Sequence, residues 1–265
     1  MSGATSQRTA TTDDVFLAGA SAGSLHILQP ADGLRSGLDA VVLAAAAPVL
    51  AGESVLDAGS GVGVVGLAVA RRCPLVRVTL IEREPDLTDL ARVNIERNGL
   101  TARCNAICAD LTQPLAAFGE QGLAPETFDH VLANPPFHDA GQVRVSPRGL
   151  KAGASAFGVG DLDRWLRFLA AMARPGGALT LIHRADALRA VLDAIGQRFG
   201  DLAVFPLFPR ADTPASRILV TGIKGSRGPL RLLAGLVLHG PDGHYTPEAE
   251  HILRAGAALV LKAKS

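Results

Sequence analysis

From about residue 38 onward the chain alternates runs of strand length with segments of helical period, and this alternation is its strongest constraint. Leu38–Leu50 reads as an Ala-rich helix ending near Pro48, Ser54–Asp57 as a short apolar strand, and Val62–Arg72 as a helix of small residues. The β-branched run Val76–Ile81 predicts a second strand. Pro85–Arg97 predicts a helix, with proline in its first turn, Asn98-Gly99 as a stop, and Leu87, Leu90, Ala91 and Ile95 on one stripe. Ala102–Ala109 and Phe128–Ala133 fit a third and a fourth strand. Leu162–Ala173 fits a helix, Pro175-Gly176-Gly177 a turn, and Ala178–His183 a fifth strand. Ala185–Phe199 reads as a helix, and Leu202–Phe208 with Arg217–Ile223 as two last strands in a hairpin. Such alternation predicts an α/β fold: a mostly parallel seven-stranded sheet, helices on both faces and a terminal antiparallel hairpin.

Composition agrees. Apolar residues make up 48% of the 265 residues and aromatics only 4%, which suits a buried parallel sheet under Ala- and Leu-rich helices. The net charge of +1 gives no global pull on nucleic acid, so any such footprint is local. Cys73, Cys104 and Cys108 form no CxxC pair and the histidines no HExxH, so no metal site is expected and a reducing compartment is. The polar start MSGATSQRTATT predicts a flexible tail over 1–24, without the apolar segment of a signal peptide. The run from Ala40 to Ala51 is too short to span a membrane, so a cytoplasmic protein is expected. Residues 25–225 then form the main domain. Residues 226–265, with the apolar run Leu230–Leu238 and the helix start Thr246-Pro247-Glu248, form an extension packed on it.

The first strand runs into Asp57-Ala58-Gly59-Ser60-Gly61-Val62-Gly63-Val64-Val65-Gly66. Glycines let the backbone turn tightly and approach a ligand, and the next helix offers unpaired N–H groups. Gly61 to Gly66 satisfies GxGxxG, which taken alone suggests a nicotinamide cofactor. Asp57, two residues before the first glycine, favours a cationic ligand with amine donors over a pyrophosphate. The pattern D-x-G-x-G-x-G resembles the first motif of class I S-adenosylmethionine-dependent methyltransferases. Two more acids end successive strands: Glu82, able to accept from ribose hydroxyls, and Asp110, able to accept from an adenine amine. Asp39, in Arg35-Ser36-Gly37-Leu38-Asp39, is a candidate for the methionine end, beside a capping role for Ser36 or a surface role for itself.

The fourth strand ends in Leu132-Ala133-Asn134-Pro135-Pro136-Phe137-His138-Asp139. Two prolines stop a ladder and make the turn beyond it rigid. An exocyclic amino group on a planar ring or amide is a poor nucleophile, because its lone pair is delocalised. Two acceptors aimed at its hydrogens, the Asn134 oxygen and the Pro135 carbonyl, favour the pyramidal form, and Phe137 offers a face for a flipped base. NPP[FY] resembles the motif of methyltransferases acting on adenine or guanine amines and on glutamine amides. Over residues 25–255 the chain is similar to the tRNA1(Val) adenine-37 N6-methyltransferase family and its small-methyltransferase relatives. The likeness lies in GLRSGLDAVVLAAAAPV, LDAGSGVGVVGLAVA, LANPPF and LVLHGPDGHYTPEAEHIL. It implies a Rossmann-like fold and S-adenosyl-L-methionine as cofactor. It also implies cofactor contacts at Asp57, Gly59, Gly61, Gly63, Glu82, Asp110 and Asn134, and catalysis at Asn134, Pro135, Pro136 and Phe137.

Two stretches suit an RNA partner. Between Asp139 and Asp161 there is no acid, while His138, Arg144, Arg148 and Lys151 are candidates for substrate contact. Between Asp201 and Asp242 the only acid is Asp212, against Arg210, Arg217, Lys224, Arg227 and Arg231. Both can meet phosphates, or be ordinary solvated charge. The expected activity is methylation of a nucleobase amino group, adenine in tRNA. An rRNA guanine or a protein glutamine is the nearer alternative; a nicotinamide-binding protein and a silent RNA-binding module are the distant ones.

Overall fold

The computed structural model describes residues 10–32, 35–136 and 161–261. Strands β1 (Thr11–Phe16) and β2 (Leu25–Pro30) form an antiparallel hairpin, so the tail expected over 1–24 is paired from Thr11 onward. Its apolar alternation was too short to read against a polar composition. The free edge of β2 is tied down by two asparagines, one in α3 (Pro85–Arg97) and one at its C-cap. Asn94 and Asn98 lie one turn apart and therefore on one face of that helix. Asn94 accepts from Leu28 N (2.8 Å) and donates to Leu28 O (3.0 Å), and Asn98 does the same for His26 (3.0 and 2.7 Å). Side-chain amides thus continue a strand ladder onto a helix.

The main sheet begins after α1 (Leu38–Ala46), which ends before Pro48 because the residue preceding a proline is pushed to extended backbone. Next along the chain are β3 (Ser54–Ala58), α2 (Val64–Arg72), β4 (Arg77–Glu82), α3, β5 (Cys104–Cys108) and the short α4 (Ala116–Gly119). After β6 (Phe128–Ala133) come α5 (Asp161–Met172), β7 (Ala173–Arg184) and α6 (Leu188–Ile195). Strands β8 (Phe199–Phe208) and β9 (Arg217–Lys224) make the expected hairpin. The helix expected over Ala185–Phe199 is shorter: one 3-10 turn leads in, and Gly196 ends it, at φ 54°.

The sheet order is β10-β8-β9-β7-β6-β3-β4-β5, with β10 (Arg231–Leu232) and β11 (Leu236–Val237) adding parallel to β8. Strands β3 to β7 are parallel, and β9 runs against its neighbours β7 and β8. The expected mostly parallel sheet with helices on both faces and a terminal antiparallel hairpin is present, extended by two short edge strands. Four residues, Arg174 to Gly177, bulge out of β7 opposite a register shift in β6, where a turn was expected. The core divides by face. Val55 and Ile182 point to the side of α1, α2 and α3, whereas their neighbours Leu56 and Leu181 point to the side of α5 and α6. Helix α7 (Pro247–Ala255) is capped by Thr246, whose Oγ1 accepts from Ala249 N at 3.2 Å, and it buries Ala249 and Ile252 with α1. No helix among the described residues is long and apolar enough to cross a membrane.

Candidate active site

Strand β3 lies between β4 and β6, the point where the direction of winding reverses. Open α/β sheets bind ligands at such a point, beyond the carboxyl ends of the strands. Register sets who meets there. Asp57 pairs with Leu80 and Leu132, and Ala58 with Ile81 and Ala133. Gly59, Glu82 and Asn134 therefore leave three adjacent strands at one level. Glu82 pairs with Cys108, which places Asp110 just beyond the next strand end.

Asp57 is 1% exposed, and its Oδ2 accepts from Gly66 N at 2.9 Å. Burial pushes its carboxyl up to about 7; the Glu82 charge adds to this, and the Gly66 N–H opposes it. Asp57 thus ties the strand to the first turn of α2. Glu82 does the corresponding work at the next strand. Its Oε2 accepts from Gly61 N (2.9 Å), and its Oε1 from Arg83 N (2.8 Å) and Glu84 N (3.0 Å). A carboxylate oxygen has about two acceptor positions, so Oε1 is full and Oε2 retains one for a ligand hydroxyl. Asp110 Oδ1 accepts from the Thr112 N–H and hydroxyl, both at 2.8 Å, which fixes the carboxylate at the rim. Asp39 Oδ2 takes the Arg217 Nε at 2.8 Å. Gly37, not Ser36, precedes α1 as its cap, without a side-chain bond.

The three glycines differ in what they face. Gly61 looks onto open space among the described residues, with none of their atoms within 4 Å of an added Cβ. A Cβ on Gly66 would lie 2.3 Å from Leu80 Cδ2, so this glycine serves close helix–strand packing. At Gly59 a Cβ would lie 2.2 Å from the Trp165 ring. The indole of α5 edges into the glycine loop at the level of Asn134. Nothing local marked Trp165; its place comes from the crossover between the parallel strands β6 and β7, which puts the start of α5 at the rim. Asn94 was equally unmarked, and its Nδ2 also donates to Val62 O (3.0 Å), linking the N-terminal hairpin to the loop.

Asn134 completes the rim. Its Oδ1 is buried and has no hydrogen-bond partner among the described residues, a costly arrangement unless something is there to be bound. Pro135 is buried and Pro136 half-buried behind it. Phe137, His138, Arg144, Arg148 and Lys151 lie outside the described residues. No group of three or more His, Cys, Asp or Glu that would hold a metal occurs among the described residues.

Strand order, glycine loop and strand-end acids define a Rossmann-like methyltransferase. The profile of the methyltransferase small domain matches residues 37–153. The crystal structure of Atu636 from Agrobacterium tumefaciens, described as a predicted O-methyltransferase, is 32% identical, with a TM-score of 0.69. That match covers 81% of this chain and 94% of the other. The tRNA1(Val) (adenine(37)-N6)-methyltransferase of Shewanella amazonensis is 33% identical over 124 residues, 47% of this chain and 50% of that protein. The release factor glutamine methyltransferase of Salmonella typhimurium is 34% identical over 152 residues, 54% of this chain and 51% of that protein. The chain thus spans about half the length of these two curated relatives. It belongs to the Rossmann-like methyltransferases, and its cofactor is S-adenosyl-L-methionine. The open side of Gly61, the spare acceptor of Glu82 and the orphaned Asn134 oxygen fit that group.

Proposed function

We propose that this protein methylates the exocyclic amino group of a nucleobase, adenine N6 in tRNA, and works in the cytoplasm. The observation that carries the reading is the buried, unpartnered Asn134 oxygen at the end of β6, held there by the two prolines next to it. S-adenosylmethionine supplies a methyl group on a sulfonium sulfur. Glu82 accepts from the ribose, Asp110 from the adenine amine, and Asp57 keeps the glycine loop in shape through Gly66. The Asn134 oxygen and the Pro135 carbonyl accept the two hydrogens of the substrate amine, and Phe137 supports the ring. Positioning of this kind needs no strong base. An amino group has two hydrogens for two acceptors, whereas a hydroxyl has only one. This favours nitrogen over the oxygen acceptor in the description of Atu636.

Relatives whose names specify adenine and glutamine both act on planar amino groups, which supports the chemistry and leaves the carrier to experiment. Labelled S-adenosylmethionine offered with separated tRNA, ribosomal subunits and release factor should label tRNA, and digestion should release N6-methyladenosine. Label in release factor alone would replace the adenine reading with the glutamine one.

A further inference from the structure

The five cations between Asp201 and Asp242 are not equivalent. Arg217 holds Asp39, Lys224 Nζ holds Glu126 (2.9 Å), and Arg231 holds Asp201 (3.1 Å). Arg210 and Arg227 make no ion pair among the described residues. These two stand at opposite ends of β8. Arg227 lies beside Gly200, where β8 begins, and Arg210 comes just after Phe208, where it ends. Since β8 runs in the same sense as β6 and β7, its end is on the Asn134 rim. Of the five, Arg210 alone is both unpaired and on the active side.

It also stands in a cleft of about 370 Å³, lined by Pro209, Arg210, Thr213, His239 and Gly243. The Arg210 turn is locked: its N–H donates to Thr213 Oγ1 (3.1 Å), and that hydroxyl donates to Arg210 O (3.0 Å). His239, which also lines the cleft, stacks its ring on Tyr245 at 4.7 Å between centroids, and its N–H donates to Pro209 O (3.0 Å). Tyr245 is 38% exposed. Neither neighbouring acid forms an ion pair with the arginine among the described residues; Asp242 Oδ1 accepts from His244 N (3.1 Å). Three strand spacings separate β6 from β8, about 14 Å in the plane of the sheet.

A guanidinium in one cleft with a histidine that stacks on a tyrosine is the chemistry that takes a phosphate and a flanking base of single-stranded RNA. We propose that this cleft is a second contact for the substrate RNA. Arg210 binds a backbone phosphate and the His239–Tyr245 pair supports a base, a few nucleotides from the one methylated. The inference rests on the RNA reading of the proposed function.

The test is steady-state methylation of tRNA across a salt series, with cofactor binding measured alongside. Arg210→Glu should raise the KM for tRNA about tenfold and reduce the salt slope by about one, while the cofactor Kd stays at the wild-type value. Arg227→Glu, the same charge change at the other end of the strand, is the control and should leave the KM unchanged. Tyr245→Ala should raise the KM several-fold. If tRNA is methylated and Arg210→Glu matches Arg227→Glu, the inference fails while the RNA reading stands. If the wild-type protein labels a protein and no RNA, the reading itself falls and takes the inference with it.

Discussion

Replacing Asp57 with asparagine removes an ionisable group from a place water does not reach, and nearly preserves its shape. The carboxylate is 1% exposed, and its hydrogen bond from Gly66 N can be kept by the amide oxygen of asparagine. Burial pushes the folded-state pKa up to about 7, from an ordinary value of 3.8. The folded protein therefore keeps this proton up to about pH 7, while the unfolded chain loses it near 4. Between these limits the folded state binds more protons, so stability falls as pH rises through the window, by about 1.4 kcal/mol per unit. Over the roughly three units concerned the loss is at most about 4 kcal/mol, complete above pH 7. Asp57→Asn has no such term. Urea denaturation of both proteins at pH 5, 6, 7 and 8 should show wild-type stability declining relative to the variant from 5 to 7, then levelling. A difference that stays flat from 5 to 7, or runs the other way, would refute the burial argument.

Asn134→Ala should lower methyl transfer by about 100-fold or more, the scale of losing an aimed polar group at a reacting centre, with cofactor affinity nearly kept. Wild-type rates would remove its proposed role. Gly59→Ala should destabilise by about 2–5 kcal/mol, combining left-handed backbone strain at φ 66° with overlap on Trp165. Combined with Trp165→Leu, the overlap part should be recovered; strictly additive effects would mean that the indole does not fill the loop. Asn94→Ala leaves Leu28 N–H and the Leu28 and Val62 carbonyls without this partner, at about 2–3 kcal/mol. Faster amide exchange at Leu28 is the expected sign, and unchanged protection would count against the link.

The sequence was most legible where the physics is local. Pro85 and Asn98-Gly99 bound α3 as expected, Phe128–Ala133 is the expected strand, and Thr246 caps α7, because turn residues and apolar period act within one or two turns of chain. The glycine loop was legible for the same reason: its positive-φ positions limit which residues can stand there. What the residues could not tell was who stands beside whom. Only the strand order brings Asn134 level with Gly59, edges Trp165 into a glycine far upstream of it in the chain, and lets Asn94 reach both the hairpin and the loop. The basic stretch makes the same point. Its five cations are alike in sequence, and ion pairs with residues as distant as Asp39 and Glu126, together with the end of β8 at which each unpaired one stands, separate Arg210 from the rest. Element type depends on neighbours along the chain and was read from it. The partners of a buried carboxylate, an orphaned amide or a free guanidinium are chosen by distance in space, and only the folded sheet sets those distances.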